Sequence, residues 1–130
     1  MFKKFIMSLA LFAGISTPIF ASQEIYLTMS SNNIDFSFEP NQSKVFTNAF
    51  PWTLKATCQI SCDDSVKNSL EARVIKKGGI MNDRVLNIGD SMSLDVRDGD
   101  SFSLSSYAGA KVEIKNTGES AIKAICYIVN

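Results

Sequence analysis

The sequence predicts an all-β protein: a single antiparallel β-sandwich, immunoglobulin-like or jelly-roll-like, behind an N-terminal signal peptide. Three observations lead there. Apolar residues recur with period two in most segments, turn-forming residues interrupt them at short intervals, and no segment sustains a 3.6-residue period.

The opening stretch MFKKFIMSLALFAGISTPIFA sets Lys3 and Lys4 before an apolar run from Phe5 to Ile15, then Pro18. This is the build of a secretory signal peptide, cut after Ala21, with an uncleaved N-terminal anchor as the alternative. The apolar run is short for a membrane span. Residues 1–21 are therefore expected to be the signal peptide and 22–130 the β-sandwich domain. The protein is expected to be exported, periplasmic or extracellular, with no integral membrane span after processing. Losing Lys3 and Lys4 leaves 11 basic and 13 acidic residues. With no basic block there is no electrostatic footprint for nucleic acid or anionic lipid.

The strands follow in order. IDFSF puts Ile34, Phe36 and Phe38 on one face. WTLKATCQI puts Trp52, Leu54, Ala56, Cys58 and Ile60 on one face and polar residues on the other. CDDSVKNSLEA (62–72) reads as a loop with at most one helical turn. SMSLDV turns Met92, Leu94 and Val96 inward, KVEIK does the same with Val112 and Ile114, and AIKAICYIV is apolar on both faces, as in a central or doubly covered strand. Reversals are expected at Glu39-Pro40-Asn41, Gly78-Gly79, Asn82-Asp83, Gly89-Asp90, Asp98-Gly99 and Asn116-Thr117-Gly118. Asp98-Gly99 carries the composition of a type I′ hairpin.

NAFPWTLKATCQI (48–60) resembles NTGESAIKAICYI (116–128). At a constant offset of 68, Asn, Lys, Ala, Cys and Ile coincide and Leu54 meets Ile122. Two turn-plus-strand units are thus expected in related places.

Three cysteines travel to an oxidising compartment. In an extended strand Cys58 and Cys62 are about 13 Å apart, too far for a disulfide. Cys58 and Cys126 hold equivalent places in the repeat, so a Cys58–Cys126 bridge is expected, worth about 4 kcal/mol in the chain-entropy account. A Cys62–Cys126 bond is the alternative. Cys62 is then a free thiol beside Asp63 and Asp64, carboxylates that disfavour the thiolate. It serves as a structural thiol or pairs with a second chain. A three-thiolate metal site needs all three sulfurs within reach of one ion. The spacing of Asp95, Asp98 and Asp100 fits an acidic turn rather than a calcium loop. No metal and no cofactor are assigned.

Histidine is absent. That removes Ser-His and Cys-His pairs and the His-rich zinc sites. GDSMSL (89–94) and GDSFSL (99–104) resemble the nucleophile block of GDSL esterases. That family needs one serine on the first strand of an α/β fold and a later Asp-x-x-His block. Here the motif occurs twice, late and without histidine, so each copy reads as a turn leading into a strand. The layout of residues 99–118 resembles the second half of a cupin jelly roll without its metal-binding histidine, which implies an antiparallel hairpin and no metal.

WTLKATC, GAKVEIKNTG and IKAIC are similar to segments of short exported all-β proteins of Gram-negative bacteria, a resemblance that implies a compartment and a fold class. The chain also compares with chaperone–usher pilus subunits, but Val129 replaces the penultimate aromatic residue and Cys126 lies within the last strand. Trp52 is expected in the core. Phe50 and Tyr107, beside turns, are the candidate partner contacts. The expectation is a non-enzymatic exported β-sandwich that binds a protein or cell-envelope partner through loops or an exposed sheet face. The alternative is a structural subunit assembling by edge-strand pairing. Intact mass of the exported protein should correspond to a chain starting at Ser22; a mass retaining residues 1–21 would show the anchor instead.

Overall fold

Each period-two segment has one face to bury, and two sheets facing each other bury all of them at once. In the computed structural model, which describes residues 23–27 and 33–129, the chain forms β1 (Gln23–Leu27), β2 (Asn33–Phe38), β3 (Ser43–Asn48), β4 (Leu54–Cys62), β5 (Ser69–Lys76), β6 (Gly78–Met81), β7 (Arg84–Asn87), β8 (Ser91–Asp95), β9 (Ser101–Ser106), β10 (Lys111–Asn116) and β11 (Ile122–Ile128). The expected signal peptide lies outside the described residues. Among the described residues no helix is long and apolar enough to cross a membrane.

One sheet has the order β1-β3-β10-β5-β8 and the other β2-β11-β4-β9-β6-β7. β3 pairs with β10, β4 with β9, β5 with β8 and β6 with β7, all antiparallel. This is a single long hairpin ribbon wound over itself, so the sandwich is jelly-roll-like rather than immunoglobulin-like. β1 extends one sheet, parallel to β3, and β2 and β11 extend the other. Phe38, Phe46, Ile60, Leu70, Val74, Phe102, Ile114 and Ile122 fill the space between the sheets. Burying each such side chain stabilises by about 1.5–3 kcal/mol.

The repeat is a local pseudo-two-fold axis. Cys58 and Cys126 are direct register partners in β4–β11 and are joined by a disulfide across 68 residues of chain. Val45 and Glu113, the same number of residues apart, are the central pair of β3–β10. The axis passes through both pairs. It carries β2, β3 and β4 onto β9, β10 and β11, so the equivalence reaches well beyond the segments whose residues coincide. Asn41 (φ 69°) and Gly109 (φ 77°) take the same left-handed place in the two connecting turns. Gln42 N–H donates to the Glu39 carbonyl as Ala110 N–H does to Tyr107, both at 2.9 Å.

Several local expectations are corrected. Residues 69–76 form a strand, because Leu70, Ala72 and Val74 alternate inward despite the helix-favouring Glu, Ala, Arg and Lys around them. Gly78 and Gly79 belong to β6; the chain turns at Lys77 (φ 66°) and Gly78 (φ 141°). Gly79 is required by crowding, since a side chain there would run into the Ser105 carbonyl oxygen of β9. The pair with positive φ in a two-residue hairpin is Asn82-Asp83 (48° and 66°), between β6 and β7. Asp98-Gly99 instead carries the chain from one sheet to the other, and so does the turn in residues 99–118: β9 and β10 lie in opposite sheets and form no hairpin. β11 is interior to its sheet but covered on one face only, leaving Ile125, Tyr127 and Val129 exposed.

Removing either cysteine partner opens a long loop in the unfolded chain, and Cys58→Ala/Cys126→Ala should lower stability in urea by about 4 kcal/mol. An unchanged unfolding midpoint would mean that the sheets alone hold β11 in place.

Candidate functional site

The two turns related by the axis are built on one device. Asn48 and Asn116 each end a strand and are fully buried, 1% and 0% exposed. Asn48 Nδ2 donates to the carbonyls of Trp52 and Ser106 at 2.9 Å and of Tyr107 at 3.1 Å, while its Oδ1 accepts from Phe50 N–H at 2.9 Å. Asn116 Nδ2 donates to the Phe38 carbonyl at 3.0 Å and the Ser120 carbonyl at 2.8 Å, and its Oδ1 accepts from Gly118 N–H at 2.8 Å. A buried carboxamide must satisfy both ends, and each does so by pinning the turn that follows it.

The side chains on the two turns differ. Trp52 takes the place of Ser120, Phe50 of Gly118 and Tyr107 of Glu39. Phe50, an expected contact, is 7% exposed, while Trp52, expected in the core, is 45% exposed and stacks on it with centroids 5.1 Å apart. The strand begins only at Leu54, so the period-two rule does not extend back to Trp52. Tyr107 is 37% exposed. Because the Trp52 and Tyr107 carbonyls meet on one amide nitrogen, the two aromatics share one end of the sandwich on a rigid mount. The conserved framework of the repeat therefore presents aromatics at one end and small or acidic residues at the other.

Both GDS segments have one structural explanation. Gly89 and Gly99 lie at φ 88° and 90°. Asp90 Oδ2 accepts from Asn87 N–H at 2.8 Å and Asp100 Oδ2 from Arg97 N–H at 2.9 Å, each closing a turn before β8 or β9. Ser91 and Ser101 are exposed strand starts.

At the opposite end Cys62 is a free, half-buried thiol. Its N–H donates to Asp98 Oδ1 at 3.2 Å, and Asp98 N–H donates to Asp64 Oδ1 at 2.8 Å. Burial pushes the thiol pKa up, and the carboxylates of Asp64, Asp98, Asp100 and Asp63 push it further. Among the described residues no three metal-ligating side chains come together. Asp95 lies on β8, away from the Asp98–Asp100 turn.

Sequence reasoning missed Lys44. It lies on the core-facing side of β3, in the place of Val112, with Nζ 5.2 Å from the Phe38 ring centroid, and burial lowers its pKa. An apolar cavity of about 50 Å³ lies between the sheets, lined by Phe36, Leu54, Phe102, Leu104 and Ile128 among others, with Ser106 its one hydroxyl. It is smaller than the ~150 Å³ cavities that take up benzene.

No protein-family model matches the chain, and no curated protein matches it in sequence. Among solved structures it is similar to the periplasmic inhibitor of g-type lysozyme PliG from Aeromonas hydrophila (TM-score 0.44, 12% identity, 85% of this chain and 97% of that one). It is also similar to PirA (0.47, 13%, 78% and 97%) and to the CENP-C cupin domain of Drosophila melanogaster (0.45, 13%, 79% and 64%). At these identities and TM-scores the likenesses transfer neither partner nor activity.

Because the thiolate is the reactive form, Cys62 should alkylate more slowly at pH 8 than a free cysteine, and its rate should keep rising above pH 9. Asp64→Asn should speed the reaction at fixed pH. A rate matching free cysteine, unmoved by the substitution, would rule out this electrostatic control.

Proposed function

We propose that the protein is a non-enzymatic exported binding module whose partner contacts the end carrying Trp52 and Tyr107. The carrying observation is the divergence between two otherwise equivalent turns: the buried asparagines and their hydrogen bonds are kept, while exposed aromatics occur on one turn alone. Aromatics held rigidly lose little conformational entropy on binding and serve as anchors at protein interfaces. The Cys58–Cys126 bond supports export, since such bonds persist in oxidising compartments. The absence of histidine from the sequence and the acidic, partly buried setting of Cys62 support a role without covalent chemistry.

A second reading, assembly by strand addition, draws on β7. This short edge strand exposes Val85, with Ile88 exposed just beyond its end. Unpaired edges accept strands from other chains. Sizing over a range of concentrations separates the two: a stable monomer favours the binding module, and growing oligomers favour assembly.

Cross-linking in the protein's own exported fraction tests the main reading. Trp52→Ala or Tyr107→Ala should keep the disulfide and the fold but reduce the cross-linked product more than about tenfold. Equal yields from all three proteins would remove this end as the partner surface. Trp52 is the only tryptophan, so its emission should shift to the blue when the partner binds.

A further inference from the structure

The chain carries as many acidic as basic residues, yet its two ends differ in charge. At the end away from Trp52 the loops carry Glu39, Asp63, Asp64, Asp98, Asp100 and Glu119 against Lys67 and Arg97, and the strand ends beside them add Asp95, Lys115 and Lys123. At the tryptophan end stand Lys55, Lys76, Lys77 and Lys111. Tyr107 N–H donates to the Gly78 carbonyl at 3.0 Å, which holds the Lys77 corner against the aromatic turn. Lys77 Cε lies 3.7 Å from where a side chain on Gly109 would begin. Lys76 and Lys111 are register partners across β5–β10, next to a register shift between Lys111 and Val112, which gathers two like charges at this end. Glu24 reaches Lys111 at 3.9 Å, and Asp90 turns its carboxylate to the Asn87 N–H. Among the described residues Lys76 and Lys77 make no ion pair.

The axis shows how the equivalent surface is covered at the other end. There the chain's own loop 63–68, leading into β5, packs on the turn after Asn116. Glu119 N–H donates to the Lys67 carbonyl at 2.9 Å, Thr117 N–H to Ser69 at 3.0 Å, and Ser120 Oγ to Asn68 Oδ1 at 2.6 Å. A side chain on Gly118 would come within 2.7 Å of the Asn68 Cα. Among the described residues, the second of these contacts has a counterpart at the tryptophan end, Ala49 N–H to the Leu27 carbonyl at 3.3 Å. Pro51, in the place of Glu119, has no N–H to donate. Phe50 and Trp52 fill the places of Gly118 and Ser120, and Trp52 is 45% exposed where Ser120 bonds to Asn68.

We infer that this end docks an acidic protein segment. The segment contacts Trp52 and Tyr107, and its carboxylates pair with Lys76 and Lys77. Complementary charge accelerates encounter and selects the partner, while the aromatics supply the desolvated contact. This inference deepens the proposed function and rests on it.

The test uses the full mature chain with poly-L-glutamate as the probe, followed by Trp52 fluorescence and backbone amide shifts. Shifts should centre on residues 49–53, Lys77 and Gly109, and affinity should fall with added salt. Lys76→Gln/Lys77→Gln, exposed positions that leave the fold intact, should bind about fivefold more weakly. Shifts at other residues, or unchanged affinity in that variant, would overturn the acidic-segment inference. So would tighter binding of heparin or of anionic phospholipid vesicles at the same residues, which would assign the lysines to a glycan or a membrane. Those results leave the partner-binding reading standing; that reading fails separately if Trp52→Ala retains its cross-linked partner.

Discussion

Two buried carboxamides hold the protein's ends together. Asn48 and Asn116 each sit where a strand of one sheet must cross to the other, the place where a β-sandwich leaves backbone groups without ladder partners. One side-chain amide supplies donors to several carbonyls and an acceptor to one N–H, so the crossing is buried without orphaned polar groups. The same bonds link the end of each strand to the turn of its pseudo-two-fold mate. Asn41 N–H donates to the Asn116 carbonyl and Gly109 N–H to that of Asn48. Neither unit closes its own turn alone.

The disulfide lies on the same axis and acts at a different level. Asn48 and Asn116 order the folded crossings, whereas Cys58–Cys126 restricts the unfolded chain. Together they allow a domain of modest core to carry one end of exposed aromatics without loosening. Trp52 stays half exposed because Phe50 beneath it is buried and its own carbonyl is held by Asn48. A mount of this kind is a requirement of binding by surface complementarity, where a mobile anchor loses affinity to ordering.

Charge separation follows from the same topology. In a jelly roll all loops gather at two ends, so residues far apart in sequence meet there. Lys76-Lys77 and Tyr107 converge although thirty positions separate them. Asp63, Asp64, Asp98 and Asp100 meet at the opposite end, where they accept backbone N–H bonds and raise the pKa of Cys62.

Much of this was legible in the sequence where physics is local. Period-two alternation marks the faces of β2, β4, β8 and β10, and the repeated Lys-Ala-x-Cys-x-Ile identifies the two strands that the disulfide joins. The lack of histidine excludes whole reaction classes without any coordinates. The rest depended on long-range contacts. Residues 69–76 have helix-favouring composition and become a strand because a sheet needs Leu70, Ala72 and Val74 on one side. Asp98-Gly99 has hairpin chemistry, yet turn residues specify a reversal and not which sheet the chain enters next. Trp52 follows the apparent alternation, but Asn48 draws the chain into a turn before the strand begins. The sequence by itself determined the period, the turns and the cysteine pairing, all set by neighbouring residues or by internal similarity. Only the tertiary structure decided which side chains share an end, because each end is assembled from strands brought together by the winding of the ribbon.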